Sequence, residues 1–400
     1  MARHIATGID IGTFHVRVVI AEQVEENKNI VPKIIGTGYS ESKGLHHGYI
    51  TSSREVTQNI RQAIVQAEKM AGMKVKRAFV SVGGIGLSGV TASGSIIISR
   101  ADLEITDLDI SKVEESAESA IPHSIALNKK IINTIPVEFK ADGKIVWGRV
   151  QGLKAQKLEA KILFIMCLEH HIQDLIKSVE DADIEVIDIV ASPIAASFVT
   201  LSKKQKKAGC VLANIGAETL SIVVYENNTP ISIEVFPIGG TDITNDIALG
   251  LKVPLEEAES IKLGSLTKSN HSRKKLEEIV NARLSDMFEL IEAHLKKIGR
   301  NALLPAGIIL TGGSAAISTI KEFAEHSLKL PSNIGDIHFG NEDKVKTKDS
   351  TWSVAYGLAI FGFNAENERT SIGTRGLDKM VSTGQDGIKK TVEWFKGLLP

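Results

Sequence analysis

A chain of 400 residues is long enough for two to four domains with substantial cores. Its formal net charge of −1 excludes a general nucleic-acid binder, which would carry a basic surplus. The two cysteines, Cys167 and Cys210, stand in apolar strand-like runs without CxxC spacing or a histidine partner, which argues against a metal site and for buried thiols in a reducing cytoplasm.

The first residues lead directly into a strand, with no apolar h-region of a secretory signal, and the longest purely apolar run, 162–168, falls far short of a bilayer span. Any membrane contact is therefore expected to be peripheral. Strands are expected over 5–11, 16–22 and 34–40, a helix over 54–70 and a strand over 77–82. The turn joining the first two strands carries Asp10, Gly12, Thr13, Phe14 and His15. Glycine lets the backbone approach a ligand closely, and its amides can hold phosphate oxygens. Thr13 can donate its hydroxyl, Asp10 can orient magnesium through the ion's waters, and His15 and Arg17 share the strand parity of Thr13.

Residues 84–160 change character. A glycine- and serine-rich segment (83–95), a strand (96–99), an acidic helix (110–120) and strands near 131–139 and 148–153 describe a small α+β insertion, after which a strand over 158–167 is expected to return to the first lobe. Gly84-Ile85-Gly86-Leu87-Ser88-Gly89 satisfies G-x-G-x-x-G, but strand-like residues follow where a dinucleotide site needs a helix to open, so that reading is rejected. The pairs His46-His47 and His170-His171 face apart on a strand and are expected to be solvated or singly hydrogen-bonded.

A second lobe then repeats the first. Strands are expected over 186–190, 209–215, 220–225, 231–237 and 307–310, with helices over 193–201, 241–250, 255–263, 276–298 and 350–361 and a charged turn over 268–275. Its turn, Asn214, Gly216, Ala217, Glu218 and Thr219, copies the first: a strand delivers a polar residue, glycine follows two positions on, and a second strand leads away. Two such turns can grip the β- and γ-phosphates of one nucleotide from opposite lobes. Gly312, Gly313 and Ser314 follow a buried strand and lead into an expected helix; this flat backbone suits the adenosine side, although an ordinary strand-to-helix turn uses the same letters. Glu259 and Lys262 stand one helical turn apart and can hold ribose hydroxyls or form a surface pair. The small-residue segments 192–197 and 355–359 suit a hinge between lobes or plain close packing.

Apolar periodicity ends after Phe363. Residues 364–387 read as a flexible tether. In the final stretch Ile388, Val392, Phe395 and Leu399 recur at helical steps, with Trp394 and Leu398 beside them and lysines around them. That mixture suits a helix lying in a lipid headgroup layer; a terminal helix docked on the core is the alternative.

Taken together these motifs resemble the actin-like ATPase superfamily, and within it the FtsA family of bacterial cell-division proteins. The resemblance spans nearly the whole chain: both phosphate turns, Gly239-Gly240-Thr241, the region around Glu259 and Lys262, Leu310-Thr311-Gly312-Gly313 and the tethered amphipathic end. It implies an α/β, actin-like duplicated two-lobe fold with a small α+β inserted domain and a C-terminal amphipathic helix. The expected division is a first lobe of 1–83 and 161–191, an inserted domain of 84–160, a second lobe of 192–344 with 227–301 as its outer subdomain, a return to the first lobe over 345–363, the tether 364–387 and the membrane helix 388–400. The resemblance also implies ATP and Mg2+ in the interlobe cleft, with Gly239 and Gly240 at the nucleotide. It further implies head-to-tail self-assembly through the inserted domain, other division proteins as partners, and a site on the inner face of the cytoplasmic membrane where division occurs. The C-terminal peptide of FtsZ, the tubulin-like ring protein, would be captured near Lys296, Lys297, Arg300 and Asn301; those cations equally complement the end of a helix dipole.

The chain departs from the family pattern, commonly Asp-x-Gly-Gly-Gly-Thr, in its second turn. Asn214 supplies no carboxylate, Ala217 and Glu218 replace glycines, and a glutamate there would repel a γ-phosphate unless turned away. ATP binding with slow or negligible hydrolysis is expected. A sugar- or acetate-type kinase on the same fold is the principal rival, but no acceptor site can be assigned. A chaperone would need a larger domain after Phe363, and the amphipathic end weighs against a pilus-assembly adaptor.

Overall fold

The computed structural model describes residues 4–26, 29–264, 273–339 and 349–372. The first lobe opens with strands β1 (Ile5–Ile11), β2 (His15–Glu26) and β3 (Asn29–Glu41), a short hairpin of β4 (Leu45–His46) and β5 (Tyr49–Ile50), helix α1 (Ser53–Ala71) and strand β6 (Arg77–Val82). The insertion holds β7 (Ser88–Ile97), α2 (Asp107–Ser119), α3 (His123–Ala126), β8 (Lys129–Ala141), β9 (Lys144–Val146) and β10 (Lys157–Leu168). The chain returns through α4 (Glu169–Glu180) and β11 (Glu185–Ala191), then crosses by α5 (Ser192–Thr200) and α6 (Lys203–Ala208). The second lobe contains β12 (Cys210–Ile215), β13 (Leu220–Glu226), β14 (Thr229–Phe236), α7 (Gly240–Leu251), α8 (Leu255–Lys262), α9 (Arg273–Lys297), β15 (Ile308–Thr311), α10 (Ile320–Leu328) and β16 (Ser332–Ile334), and α11 (Ser353–Ile372) follows.

The duplication is explicit in the sheets. The first orders its strands β11-β6-β1-β2-β3 and the second β16-β15-β12-β13-β14. In each, three consecutive antiparallel strands are joined by a fourth strand parallel to the first and a fifth parallel to the fourth. A parallel strand needs a long crossover, and helices fill those crossovers. Each core is built from aliphatic residues, such as Ile9, Val18 and Ile60 in the first lobe and Leu220, Leu284 and Ile308 in the second, all fully buried. The cysteines Cys167 and Cys210 are buried and unbridged as expected, and burial pushes both thiols up to about 12.

Several expectations about local structure are corrected. The strand expected over 96–99 starts earlier: Ser88–Ile97 forms β7, bonded to β10 along its length, in keeping with the strand-like residues after Gly89. Strand β10 does not return to the first lobe, because it is bonded throughout to β7 and β8 and lies centrally in the inserted sheet, β7-β10-β8-β9. Its two faces serve different cores. Leu158, Ala160, Ile162 and Phe164 pack with α2, whereas Leu163, Ile165 and Cys167 join the first-lobe core. The run 148–153 is not a strand, since Gly148 and Gly152 adopt φ of 99° and 85°, outside the pleated region. Helix α9 starts at Arg273, so residues 273–275 of the expected charged turn are helical; residues 268–272 of that turn lie outside the described residues. Helix α11 runs to Ile372, nine residues into the expected tether 364–387, which holds no glycine or proline before Gly373. The rest of that tether and the amphipathic stretch 388–400 lie outside the described residues. Among the described residues, no helix is long and apolar enough to cross a membrane.

Candidate functional site

Between the lobes lies a cavity of about 500 Å³, lined by residues from both halves. The two expected turns face it with equivalent geometry. The Gly12 N–H donates to the His15 carbonyl at 3.1 Å, and the Gly216 N–H to the Thr219 carbonyl at 2.8 Å. Asp10, Thr13, Phe14 and His15 line the cavity from the first lobe, and Asn214, Ala217 and Thr219 from the second. Phe14 sits 57% exposed.

The strand register makes the two turns chemically different. Asp10 stands opposite Arg17 across β1 and β2, and Asn214 stands opposite Ser221 across β12 and β13. All four line the cavity, so the first lobe presents an acid–base pair where the second presents a neutral one. Asp10 is buried and accepts from the Ser81 hydroxyl at 2.8 Å. Burial pushes its carboxyl above the usual range, while Arg17 and Ser81 pull the other way. The Arg17 guanidinium lies over the Trp352 ring, 5.7 Å from its centroid, with Nη2 at 3.4 Å from His15 Nδ1. Burial, and then the charge of Arg17, lower the pKa of His15, favouring its neutral form.

The second lobe supplies a braced floor. Lys262 Nζ donates to the Gly240 carbonyl at 3.1 Å and to Thr244 Oγ1 at 2.9 Å, and pairs with Glu259 at 2.7 Å. Glu259 and Lys262 both line the cavity, so the i,i+3 pair and the cleft position coexist. Gly240 joins the lining; Gly239 does not. A Cβ on Gly239 would fall 2.3 Å from the Ala217 carbonyl oxygen, so this residue lets α7 press against the back of the second-lobe turn. That contact is fixed by bonds from the Gly240 N–H to the Gly216 carbonyl (2.9 Å) and from the Thr241 N–H to the Ala217 carbonyl (2.8 Å).

Gly312, Gly313 and Ser314 also reach the cavity. Gly312 has φ of 90°, and a Cβ there would meet Asn214 Oδ1 at 2.5 Å, so both conformation and space require glycine. The helix expected after this turn is instead a single 3-10 turn, Gly313–Ala316, which offers amides without a long helix dipole.

Glu218 alone among the residues of the second turn is turned out of the cavity. Its carboxylate accepts from the His47 N–H and lies 3.4 Å from His46 Nδ1. His46 and His47, expected to be solvated or singly bonded, both meet this second-lobe residue.

Lys296, Lys297, Arg300 and Asn301 cluster at the end of α9. Lys296 pairs with Glu292 at 2.8 Å, Lys297 is exposed, and Arg300 forks onto Glu226 through Nε and Nη2, clamping the end of α9 to β13. Sequence reasoning did not place Ser81, Ser192, Ser221, Asp349 or Ser353 at the cleft, although all line it. Only the parity of Arg17 with Thr13 signalled its position.

A family model described as Cell division protein FtsA matches residues 211–357. FtsA of Pseudomonas aeruginosa is 27% identical over 390 residues, covering 92% of either chain. FtsA of Bacillus subtilis is 29% identical, covering 93% of this chain and 87% of its own. FtsA of Escherichia coli K12 is 26% identical, covering 98% of each. Among solved structures, a chain of a PilM-PilN type IV pilus biogenesis complex superposes with a TM-score of 0.65 at 15% identity, over 89% of this chain and 98% of that one. MreB 5 of Spiroplasma citri bound to AMPPNP gives 0.51 at 13% identity, over 92% and 98%. These structures share the actin-like fold. Sequence likeness to the FtsA cell-division proteins runs through both halves of the duplication.

Proposed function

We propose that this chain binds ATP with magnesium between its lobes, assembles head to tail through its inserted domain, and ties the FtsZ ring to the inner face of the cytoplasmic membrane, where other division proteins join it. The observation that carries the reading is the pair of equivalent turns facing one cavity. The FtsA likeness supports the division role, and the AMPPNP-bound relative in fold supports a nucleotide in the cleft. Magnesium keeps most of its waters, so a single buried carboxylate facing the cavity, Asp10, suits it; the ion would neutralise phosphate charge. FtsZ's C-terminal peptide would meet the end of α9, where Lys297 is exposed. A small-molecule kinase would need a carboxylate at its acceptor hydroxyl. Glu259 is engaged by Thr244 and Lys262, and Asp349 by Thr351, which disfavours that alternative.

Asn214 cannot take a proton from an attacking water, so hydrolysis is slow. Asn214→Asp is expected to raise phosphate release about 100-fold, the lower end of what a positioned base contributes, measured under saturating ATP and magnesium. An unchanged rate means the second turn does not face the attacking water. The membrane role is tested by co-sedimentation with anionic phospholipid vesicles. Full-length protein is expected to pellet, whereas protein ending at Gly387, or carrying Trp394→Glu with Phe395→Glu, stays in solution. Equal pelleting of all three overturns the tether.

A further inference from the structure

We infer that Glu218 is a positioning residue that latches the second-lobe phosphate turn to the first lobe, so that cleft closure and placement of that turn are one event. Three contacts between residues 171 or 172 positions apart make the latch. The Glu218 carboxylate accepts from the His47 N–H, the Glu218 carbonyl meets His47 Nδ1 at 2.9 Å, and the carboxylate lies 3.4 Å from His46 Nδ1. His47 adopts φ of 47°, a left-handed conformation costly for a residue with a Cβ. From that conformation both its N–H and its ring meet Glu218.

The first-lobe side is rigidly seated. Gly48 and Gly84 touch so closely that a Cβ on Gly48 would lie 2.4 Å from Gly84 Cα, and the Ile85 N–H bonds the His47 carbonyl. On the other side, Ala217 and Thr219 flank Glu218 and line the cavity, and the Ala217 carbonyl holds the first turn of α7. A lobe cannot swing open without breaking the charge-assisted bond from the His47 N–H and the ring contact to the Glu218 carbonyl, at a residue sandwiched between two that line the phosphate end. The side chain that would repel phosphate inside the cleft therefore restrains its release from outside.

The consequence for ligand exchange rests on the nucleotide-binding reading, and the test separates the two. In full-length protein, Glu218→Ala is expected to speed dissociation of a fluorescent ATP analogue about tenfold, corresponding to loss of one charge-assisted hydrogen bond. His47→Gly, which comes from the other lobe and favours the same backbone conformation, removes the ring contact and should act in the same direction. Interlobe distance is read independently, in nucleotide-free protein, between spin labels introduced at the exposed positions Arg54 and Glu256. Glu218→Ala should broaden and lengthen it. Failure of wild-type protein to bind the analogue, with the distance still lengthening, sinks the nucleotide reading and leaves the latch standing. Binding with unchanged distance in both variants overturns the latch, even if dissociation quickens, because Glu218 would then act within its own turn.

Discussion

An Arg17→Met protein is expected to bind ATP about 30-fold more weakly than wild type by titration calorimetry in magnesium buffer. Arg17 is the permanent cation placed by strand register beside Asp10 at the phosphate turn. Among the described residues, the other lysine or arginine lining the cavity, Lys262, is occupied with Glu259, Thr244 and the Gly240 carbonyl. Stacking over Trp352 fixes the guanidinium, so little side-chain freedom is lost when it meets an anion. A hydrogen bond to a charged group contributes about 2 kcal/mol net, which is the predicted factor. Removing Arg17 also withdraws the charge that opposes the effect of burial on Asp10, so its carboxyl rises further and becomes a poorer partner for magnesium. Arg17→Lys should recover part of the affinity. Equal affinity in all three proteins would mean that the phosphates lie away from β2.

The second large effect concerns the helices that join the lobes. Gly357→Ala is expected to destabilise the protein by about 3 kcal/mol, read as a lower urea midpoint. In an ordinary exposed helix the same change stabilises by about 1 kcal/mol, so its sign is diagnostic. A Cβ on Gly357 of α11 would sit 1.8 Å from the carbonyl oxygen of Ala195 in α5, and backbone cannot move aside as a flexible side chain does. The neighbourhood is already filled: Phe361 of α11 packs edge-on to Phe79 and stacked on Phe198. A stability equal to or above wild type would show that the two helices slide apart freely, as a hinge of small residues would allow.

Much of the site was legible because the duplication repeats a local rule. Aspartate or asparagine, glycine two positions on, and flanking β-branched strands specify a hairpin turn in each half without help from distant residues. Glu259, Lys262 and the Gly312–Gly313 pair were legible for the same reason: helix spacing and a strand-to-turn transition are short-range patterns. Misread elements lay where a pattern was ambiguous or absent. Gly148 and Gly152 broke a run that otherwise looked extended. Strand β10 was recognised as a strand but assigned to the wrong sheet, since an apolar run buried on both faces does not name its neighbours.

By itself, then, the sequence determined the repeated strand-turn-strand units, the helix faces, the neutral second turn and the thiols' burial. Periodicity and glycine spacing encode these within a dozen residues. Only the tertiary structure decided that Arg17 shares the cleft with Lys262, that Glu218 leaves it for His46 and His47, that Arg300 is bound to Glu226, and that Ser81 and Asp349 reach the same cavity. Those placements depend on which surfaces meet when two lobes close. Contacts between residues more than a hundred positions apart follow from the packing of the cores, and no local pattern carries that information.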